Sequence, residues 1–142
     1  MKTPEEECDD LMNSVVPFAQ RMLTKYRSFY PFGGAVGPDG KIIAVAGGTG
    51  SEHPASQEVI AVLEEGFREG ARTGQYRATA LVIDMLVVPP QRTAKEDAIV
   101  VRLDHRDGYS VVAVFPYVIG PAGDVATGAP YAVKGDRKIF PR

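Results

Sequence analysis

The chain has 142 residues and a formal net charge of −2, with 44% hydrophobic and 24% charged residues. These values are ordinary for a globular protein with a proper core, and we expect residues 1–142 to form a single domain. Without a basic run, unspecific binding to nucleic acid or to an acidic membrane is disfavoured, and no apolar run has the length of a membrane span. The single cysteine, the lack of a metal-ligand cluster and the lack of a signal peptide predict a cytoplasmic protein with no metal and no other cofactor.

The first predicted element is a long helix. Thr3 can cap its amino end, Pro4 suits the first helical position, and Glu6 completes a capping box. Pro17 interrupts the helix but points away from the apolar stripe, so we expect one helix that is kinked at Pro17 and ends near Arg27. The residues at helical spacing that define this stripe are Leu11, Val15, Phe18, Met22, Tyr26 and Phe29.

A hairpin and a second helix follow. Residues 37–40, Gly-Pro-Asp-Gly, predict a turn between a strand that ends near Val36 and a strand over residues 41–46. The second helix begins at Pro54 and runs to about Thr73. Its predicted apolar face comprises Val59, Ile60, Val62, Leu63 and Phe67. Three glycines fall within the same face and indicate a close approach of the helix backbone to its neighbour, namely Gly66, Gly70 and Gly74.

Three consecutive strands form the centre of the predicted sheet, over residues 76–88, 97–106 and 109–119. Asp107-Gly108 predicts a two-residue turn that pairs Arg106 with Tyr109 and therefore Leu103 with Val112. Residues 120–142, rich in glycine and proline, are expected to form an extended strap. Its predicted anchors are Tyr131, Val133, Ile139 and Phe140.

The side-chain pattern also predicts a register for the first two strands of this meander. Ile83 is placed opposite Leu103, which places Asp84 directly across from Arg102. We interpret Asp84 as half of a cross-strand ion pair in preference to a catalytic carboxylate. In this register one sheet face carries few charges, and its apolar residues are expected to form an interface: Val82, Leu86, Val100, Val111 and Phe115.

These elements predict an α+β fold, with a five-stranded antiparallel sheet in α-β-β-α-β-β-β order, two helices and a C-terminal extended strap. The order resembles the profilin-like and roadblock-like folds, which usually carry a final helix that is absent here. Several short segments also resemble a set of small bacterial proteins of uncharacterised function across residues 25–140: Phe29-Tyr-Pro-Phe-Gly33, Ser51-Glu-His-Pro54, Gln57-Glu-Val59, Tyr76-Arg-Ala78 and Asp104-His-Arg-Asp-Gly108. The resemblance implies a compact bacterial domain and supplies no catalytic residues.

A glycine-rich loop between the first hairpin and the second helix is the candidate ligand site. A strand, a glycine-rich turn and a helix start can together hold an anion, although the loop lacks the lysine of a Walker motif and a simple hinge is the favoured interpretation. The candidate ligand-binding residues are Gly48, Thr49, Gly50, Ser51 and His53. His53 and His105 lie far apart in sequence, and no residue is assigned a catalytic role.

Two classes of function are compatible with these observations. The first is a non-catalytic protein-interaction or accessory module, of the immunity type for example, that forms a homodimer or binds a protein partner. The alternative is a small-molecule-binding protein or enzyme with a pocket near residues 47–54. A deep pocket with convergent polar groups would favour the second class, and a flat apolar patch would favour the first.

Overall fold

The computed structural model describes residues 2–50 and 55–140. In this part of the chain the antiparallel sheet has seven strands in the order β2-β1-β3-β4-β5-β6, and β7 also pairs with β5. The α+β class with two helices is confirmed, while the predicted number of five strands is wrong. The elements are α1 (Pro4–Tyr26), β1 (Phe32–Val36), β2 (Ile42–Val45), α2 (Ser56–Thr73), β3 (Ala78–Val87), β4 (Glu96–His105), β5 (Ser110–Ile119), β6 (Val125–Thr127) and β7 (Tyr131–Lys134).

The two additional strands come from the C-terminal strap. β6 pairs with the last residues of β5, from Tyr117 to Ile119, and β7 pairs with the earlier part, from Val111 to Val114. The ten-residue strand β5 thus shares its outer edge between two short partners. The strap protects an edge that would otherwise expose unpaired backbone groups.

Helix α1 has the predicted capping box, in which the Glu6 N–H donates to Thr3 Oγ1 at 3.1 Å and the Thr3 N–H donates to the Glu6 carboxylate at 3.0 Å. Pro17 lies inside the helix and is exposed, as predicted. The predicted stripe is partly wrong, because Phe18 is 41% and Tyr26 57% exposed. The helix instead packs along a ridge of residues spaced mostly by four positions, which includes the small Ala19. This ridge consists of Cys8, Leu11, Val15, Ala19 and Leu23.

Helix α2 buries most of its predicted face, but Val62 is 42% exposed and Gly66 also faces solvent. Gly74 is the left-handed C-cap, with φ of 79°. Gly70 is buried as predicted, and its neighbour is the ring of Tyr76, which an added Cβ would meet at 2.2 Å. The close approach therefore involves the segment between α2 and β3.

The sheet is covered on both faces. Helix α1 packs on one face, with Ala80, Val82, Ile99 and other residues beneath it. Helix α2 packs on the opposite face, together with Ile139 and Phe140 from the strap. We call these the α1 face and the α2 face.

The predicted β3–β4 register is wrong by three residues. Asp84 lies opposite Ile99, and Arg102 lies opposite Leu81. Because side chains alternate between faces, an odd displacement separates the predicted pair: Asp84 lies on the α1 face and Arg102 on the α2 face. Both faces are apolar because both are covered, so the side-chain pattern does not select one register.

The β4–β5 turn contains three residues instead of the predicted two. The His105 N–H donates to the Tyr109 carbonyl at 2.8 Å, and Gly108 takes a positive φ of 94°. This is the geometry of a three-residue hairpin loop that ends in a left-handed residue. Leu103 therefore pairs with Val111 and not with Val112.

These registers divide the residues predicted to form an interface. Val82 and Val100 are both buried, but Val82 lies under α1 and Val100 lies on the α2 face. Val111 and Phe115 are half-buried on the α1 side, and Leu86 is 56% exposed. The five residues do not share one face.

Candidate functional site

A cavity of about 380 Å³ lies on the α2 face, between helix α2, the sheet and the strap. We call it the strap cavity. Leu81, Val100 and Val114 form its apolar floor, Phe67 contributes from α2, and Ile139 contributes from the strap. Helix α2 packs near β3 and β1, while the strap pairs β7 alongside β5 and contributes Ile139, so the cavity lies between them above β4.

Arg102 is the cationic side chain that β4 contributes to this cavity. Its cross-strand neighbours are Leu81 and Val112, so the arginine interrupts an apolar row across the sheet. Among the described residues its guanidinium makes no hydrogen bond and no ion pair, in contrast to Arg68 and Arg77. A half-buried guanidinium without a partner has five donors available for a ligand.

Asp104 stands two residues from Arg102 along the same strand face and is 9% exposed. Its Oδ1 accepts a hydrogen bond from Ser110 Oγ at 2.8 Å, and Ser110 Oγ accepts one from the Arg137 N–H at 3.2 Å. Burial raises the pKa of Asp104, although the Ser110 hydrogen bond and Arg102 act in the opposite direction. The Asp104–Ser110–Arg137 chain fixes the strap against the cavity wall.

The rim of the cavity is charged. Glu64 lines it from α2 and lies 3.8 Å from Arg68, whereas Lys134, Asp136 and Lys138 line it from the strap and are exposed. Lys138 Nζ lies 3.9 Å from Asp136 Oδ2, so the rim cation without an ion pair among the described residues is Lys134. An apolar floor beside Arg102 and Lys134 suits a small molecule that has an acidic head and an apolar body. Arginine recognises carboxylate and phosphate groups through paired hydrogen bonds.

A second charged cluster, on the α1 face, is fully paired. Glu7 is 8% exposed, and its Oε2 accepts from Arg77 Nε at 2.7 Å and also from a terminal nitrogen of Arg77. Its Oε1 lies 3.0 Å from His105 Nε2. The Asp107 N–H donates to His105 Nδ1 at 3.1 Å, which places the imidazole proton on Nε2 and directs it to Glu7.

The electrostatics of Glu7 reflect this pairing. Burial by itself raises the pKa of Glu7, but the hydrogen bonds from His105 and Arg77 outweigh it and leave the pKa below its ordinary value. Both His105 ring nitrogens are occupied, so the ring has no position left for a substrate proton. The cluster joins α1 to β3 and β4 and has a structural role.

The predicted ligand loop lies elsewhere. Gly48 and Gly50 are exposed in the segment between β2 and α2, and Thr49 is half-buried. None of these three lines the strap cavity. Ser51 and His53 lie outside the described residues, so a ligand site at this loop stays a prediction.

The described residues offer neither a cluster of metal ligands nor a helix that could span a membrane. Residues 2–50 and 55–140 contain no group of three or more His, Cys, Asp or Glu side chains that could hold a metal ion. Neither helix of this part of the chain combines the length and the hydrophobicity needed to cross a membrane.

Sequence reasoning singled out Arg102 but gave it the wrong partner. The sequence does show Arg102 as a cation within the apolar run from Ile99 to Leu103. The strap residues that complete the cavity, such as Ile139, lie more than thirty residues away along the chain. No local pattern joins them to β4.

Comparisons with known proteins assign no family. No protein-family model, no curated protein and no solved structure matches the chain.

Proposed function

We propose that this protein binds a small organic acid in the strap cavity, with the carboxylate on Arg102 and the apolar body on the sheet. The observation that carries the proposal is the guanidinium of Arg102, which lines the cavity without an ion pair among the described residues. This proposal corresponds to the small-molecule-binding alternative that the sequence suggests, but the site is the strap cavity and not the loop over residues 47–54.

The energetics favour binding over a structural role for Arg102. Partial burial of a charge between Leu81 and Val112 has a desolvation cost, which the Coulombic attraction of Asp104 offsets only without a direct hydrogen bond or ion pair among the described residues. A ligand carboxylate would supply the missing acceptors through two charge-assisted hydrogen bonds. Lys134 at the rim would attract the same anion, whereas Lys138 is paired with Asp136.

The size of the cavity limits the ligand. A volume of about 380 Å³ is at the lower end of the range for small-molecule sites, so a short aliphatic or aromatic acid fits better than a dinucleotide. Hexanoate is a suitable probe. With eight non-hydrogen atoms at about 0.5 kcal/mol each, its dissociation constant should be about 1 mM.

Isothermal titration calorimetry with three probes of equal length tests the proposal. Hexanoate should bind, whereas hexanamide, which lacks the charge, should bind at least about tenfold more weakly. Arg102→Gln should weaken hexanoate binding by a similar factor. Hexylammonium, the third probe, should not displace hexanoate from this cavity in a competition titration, because its ammonium group would face Arg102.

Arg72→Gln is the matched control, because Arg72 lies on the exposed side of α2 and pairs with Glu69 away from the cavity. It should leave hexanoate binding unchanged. Equal binding of hexanoate to the wild type and to a folded Arg102→Gln variant would contradict the proposal. Circular dichroism would establish that both variants are folded.

The predicted protein partner or homodimer stays a separate prediction, and the fold restricts where it applies. Leu86 is 56% and Val118 71% exposed, and both line an open groove of about 620 Å³ at the end of β3 and β5. An exposed apolar surface of this kind favours an interface. Light scattering at increasing concentration would detect a dimer, and Leu86→Glu should then dissociate it; a monomeric mass throughout would contradict self-association.

A further inference from the structure

A second pocket, on the opposite side of the sheet, has the complementary charge. It has a volume of about 600 Å³ and lies between the end of α1, the segment that follows it, and β3. Two serine side chains and Met22 contribute to its wall. The residues that give it chemical character are Asp84, Tyr26, Phe29 and Tyr30.

Asp84 is a half-buried carboxylate whose hydrogen bonds come from neutral donors. The Tyr117 hydroxyl donates to Asp84 Oδ1 at 2.6 Å, and the backbone N–H of Phe29 also donates to the carboxylate. Among the described residues no lysine, arginine or histidine forms an ion pair with it. Asp97, which is also negative, raises the pKa of Asp84 further.

The Asp84 carboxylate therefore has no cation as an ion-pair partner among the described residues, although Lys25 lies against the Tyr26 ring of the same pocket. Burial raises the pKa of Asp84, which means that a bound cation would remove an existing electrostatic cost. A short hydrogen bond from Tyr117 fixes the position of the carboxylate but leaves acceptor positions free, because an ionised carboxylate has about four.

The aromatic side chains supply the second half of a cation site. Tyr26 is 57% and Tyr30 50% exposed, so both rings present surface to the pocket. The Lys25 ammonium lies 5.2 Å from the centre of the Tyr26 ring, so one face of this ring is already in a cation–π contact and the alkyl part of a ligand would use the remaining ring surface. Phe29 is buried beneath them.

We propose that the Asp84 pocket binds the ammonium group of a small organic amine, with the carboxylate as its ion-pair partner and the tyrosine rings around its alkyl part. A carboxylate and aromatic faces, together with hydroxyl groups, are the groups that recognise an alkylammonium ion. The site is separate from the strap cavity, because Asp84 and Arg102 lie on opposite faces of the sheet.

Hexylammonium titration, followed by nuclear magnetic resonance, tests this proposal. In the wild-type protein at neutral pH, the amides of Phe29 and Asp84 should shift and approach saturation at about 10 mM hexylammonium, a concentration that detects millimolar affinity. Asp84→Asn keeps the size of the side chain and should weaken binding by about tenfold. Tyr26→Leu, which changes no charge, should weaken it by a smaller factor of about threefold.

Asp10→Asn is the control, because Asp10 is an exposed carboxylate of α1 that pairs with Lys2. It should bind hexylammonium as the wild type does. Hexanoate should bind to the Asp84→Asn variant with wild-type affinity, which separates this site from the strap cavity. No saturation in the wild type, or equal affinity in wild type and Asp84→Asn, would overturn the proposal.

Discussion

The two faces of the sheet each contain an arginine and a carboxylate, but the two pairs are built differently. On the α1 face, Arg77 and Glu7 make two hydrogen bonds, and His105 adds a third from the other side. On the α2 face, Arg102 and Asp104 stand two residues apart on one strand. Neighbours at that spacing lie about 7 Å apart, parallel to each other.

The comparison shows that the position of a charged side chain in the fold determines whether it can pair with the oppositely charged side chain beside it. Glu7 lies on helix α1, and its carboxylate bonds both to Arg77, which directly precedes β3, and to His105 of β4. These bonds connect α1 to the two strands. Arg102 and Asp104 cannot pair in this way, and Asp104 is bonded to Ser110 instead. On the α1 face the Glu7–Arg77–His105 cluster is fully paired, whereas Arg102 on the α2 face has no hydrogen bond and no ion pair among the described residues.

The largest expected effect on stability comes from disruption of the ion pair between Glu7 and Arg77. Glu7→Gln removes the negative charge between Arg77 and His105, and the free energy of unfolding should fall by about 2–4 kcal/mol. Urea denaturation would measure it. Glu69→Gln, which removes an exposed carboxylate paired with Arg72, should cause no measurable change and is the control. Equal effects at Glu7 and Glu69 would show that burial of the pair does not matter.

The Glu7 effect should also depend on pH. The pKa of Glu7 lies below its ordinary value of 4.5, so its contribution to stability is present above that value. It is lost as pH falls through the lowered pKa. The difference in the free energy of unfolding between wild type and Glu7→Gln should therefore decrease at acidic pH. A difference that increased at acidic pH would contradict the lowered pKa of Glu7.

A second prediction compares two glycines of α2, which packs on the cavity side. Gly70→Ala should lower the free energy of unfolding by about 1–3 kcal/mol, because the new methyl group would collide with the Tyr76 ring. A Cβ added at Gly66 would have no heavy atom within 4 Å, so Gly66→Ala should stabilise the protein by up to about 1 kcal/mol. Thermal unfolding of the two variants would check the opposite signs, and equal signs would contradict the helix orientation.

A third prediction concerns Arg102 itself. Arg102→Leu replaces a half-buried charge between Leu81 and Val112 with an apolar side chain, so the free energy of unfolding should rise by about 0.5–1 kcal/mol. Binding of hexanoate should be lost at the same time. A destabilised variant would mean that Arg102 supports the fold, and the contrast between the two faces would then fail.

The smallest expected effect is at Asp84. Its pKa is raised in the folded protein, so its contribution to stability is fully present below the unfolded pKa and is lost as pH rises through the folded one. The stability of Asp84→Asn relative to wild type should therefore increase between about pH 4 and pH 7. Denaturation at several pH values would measure this trend, and the opposite trend would contradict the raised pKa.

The contrast between the faces was only partly predictable from sequence. Local signals gave the helix start at Thr3, the turn over residues 37–40 and the class of fold, because each depends on residues close together in the chain. The β3–β4 register was not predictable, since helices cover both faces and apolar residues appear on both. An error of three residues was enough to pair Asp84 with Arg102.

The candidate sites depended on that register. Asp84 was recognised as an unusual charge within an apolar strand, and the predicted pair with Arg102 was preferred to a catalytic role for it; Arg102 was considered only as that partner. The partners that define their pockets are distant in sequence: Ile139 for Arg102, and Tyr26 for Asp84. Glu7 and His105 were likewise missed as a pair, because 98 residues separate them.

The most direct test of the proposed function observes the Arg102 side chain during titration with hexanoate. In nuclear magnetic resonance spectra, the Arg102 Nε–H signal should move downfield and saturate together with the backbone amides of Leu81 and Val114. The Arg72 Nε–H signal should stay in place. If the Arg102 signal does not move, or moves only in parallel with that of Arg72, the guanidinium does not bind the carboxylate and the account of the strap cavity is wrong.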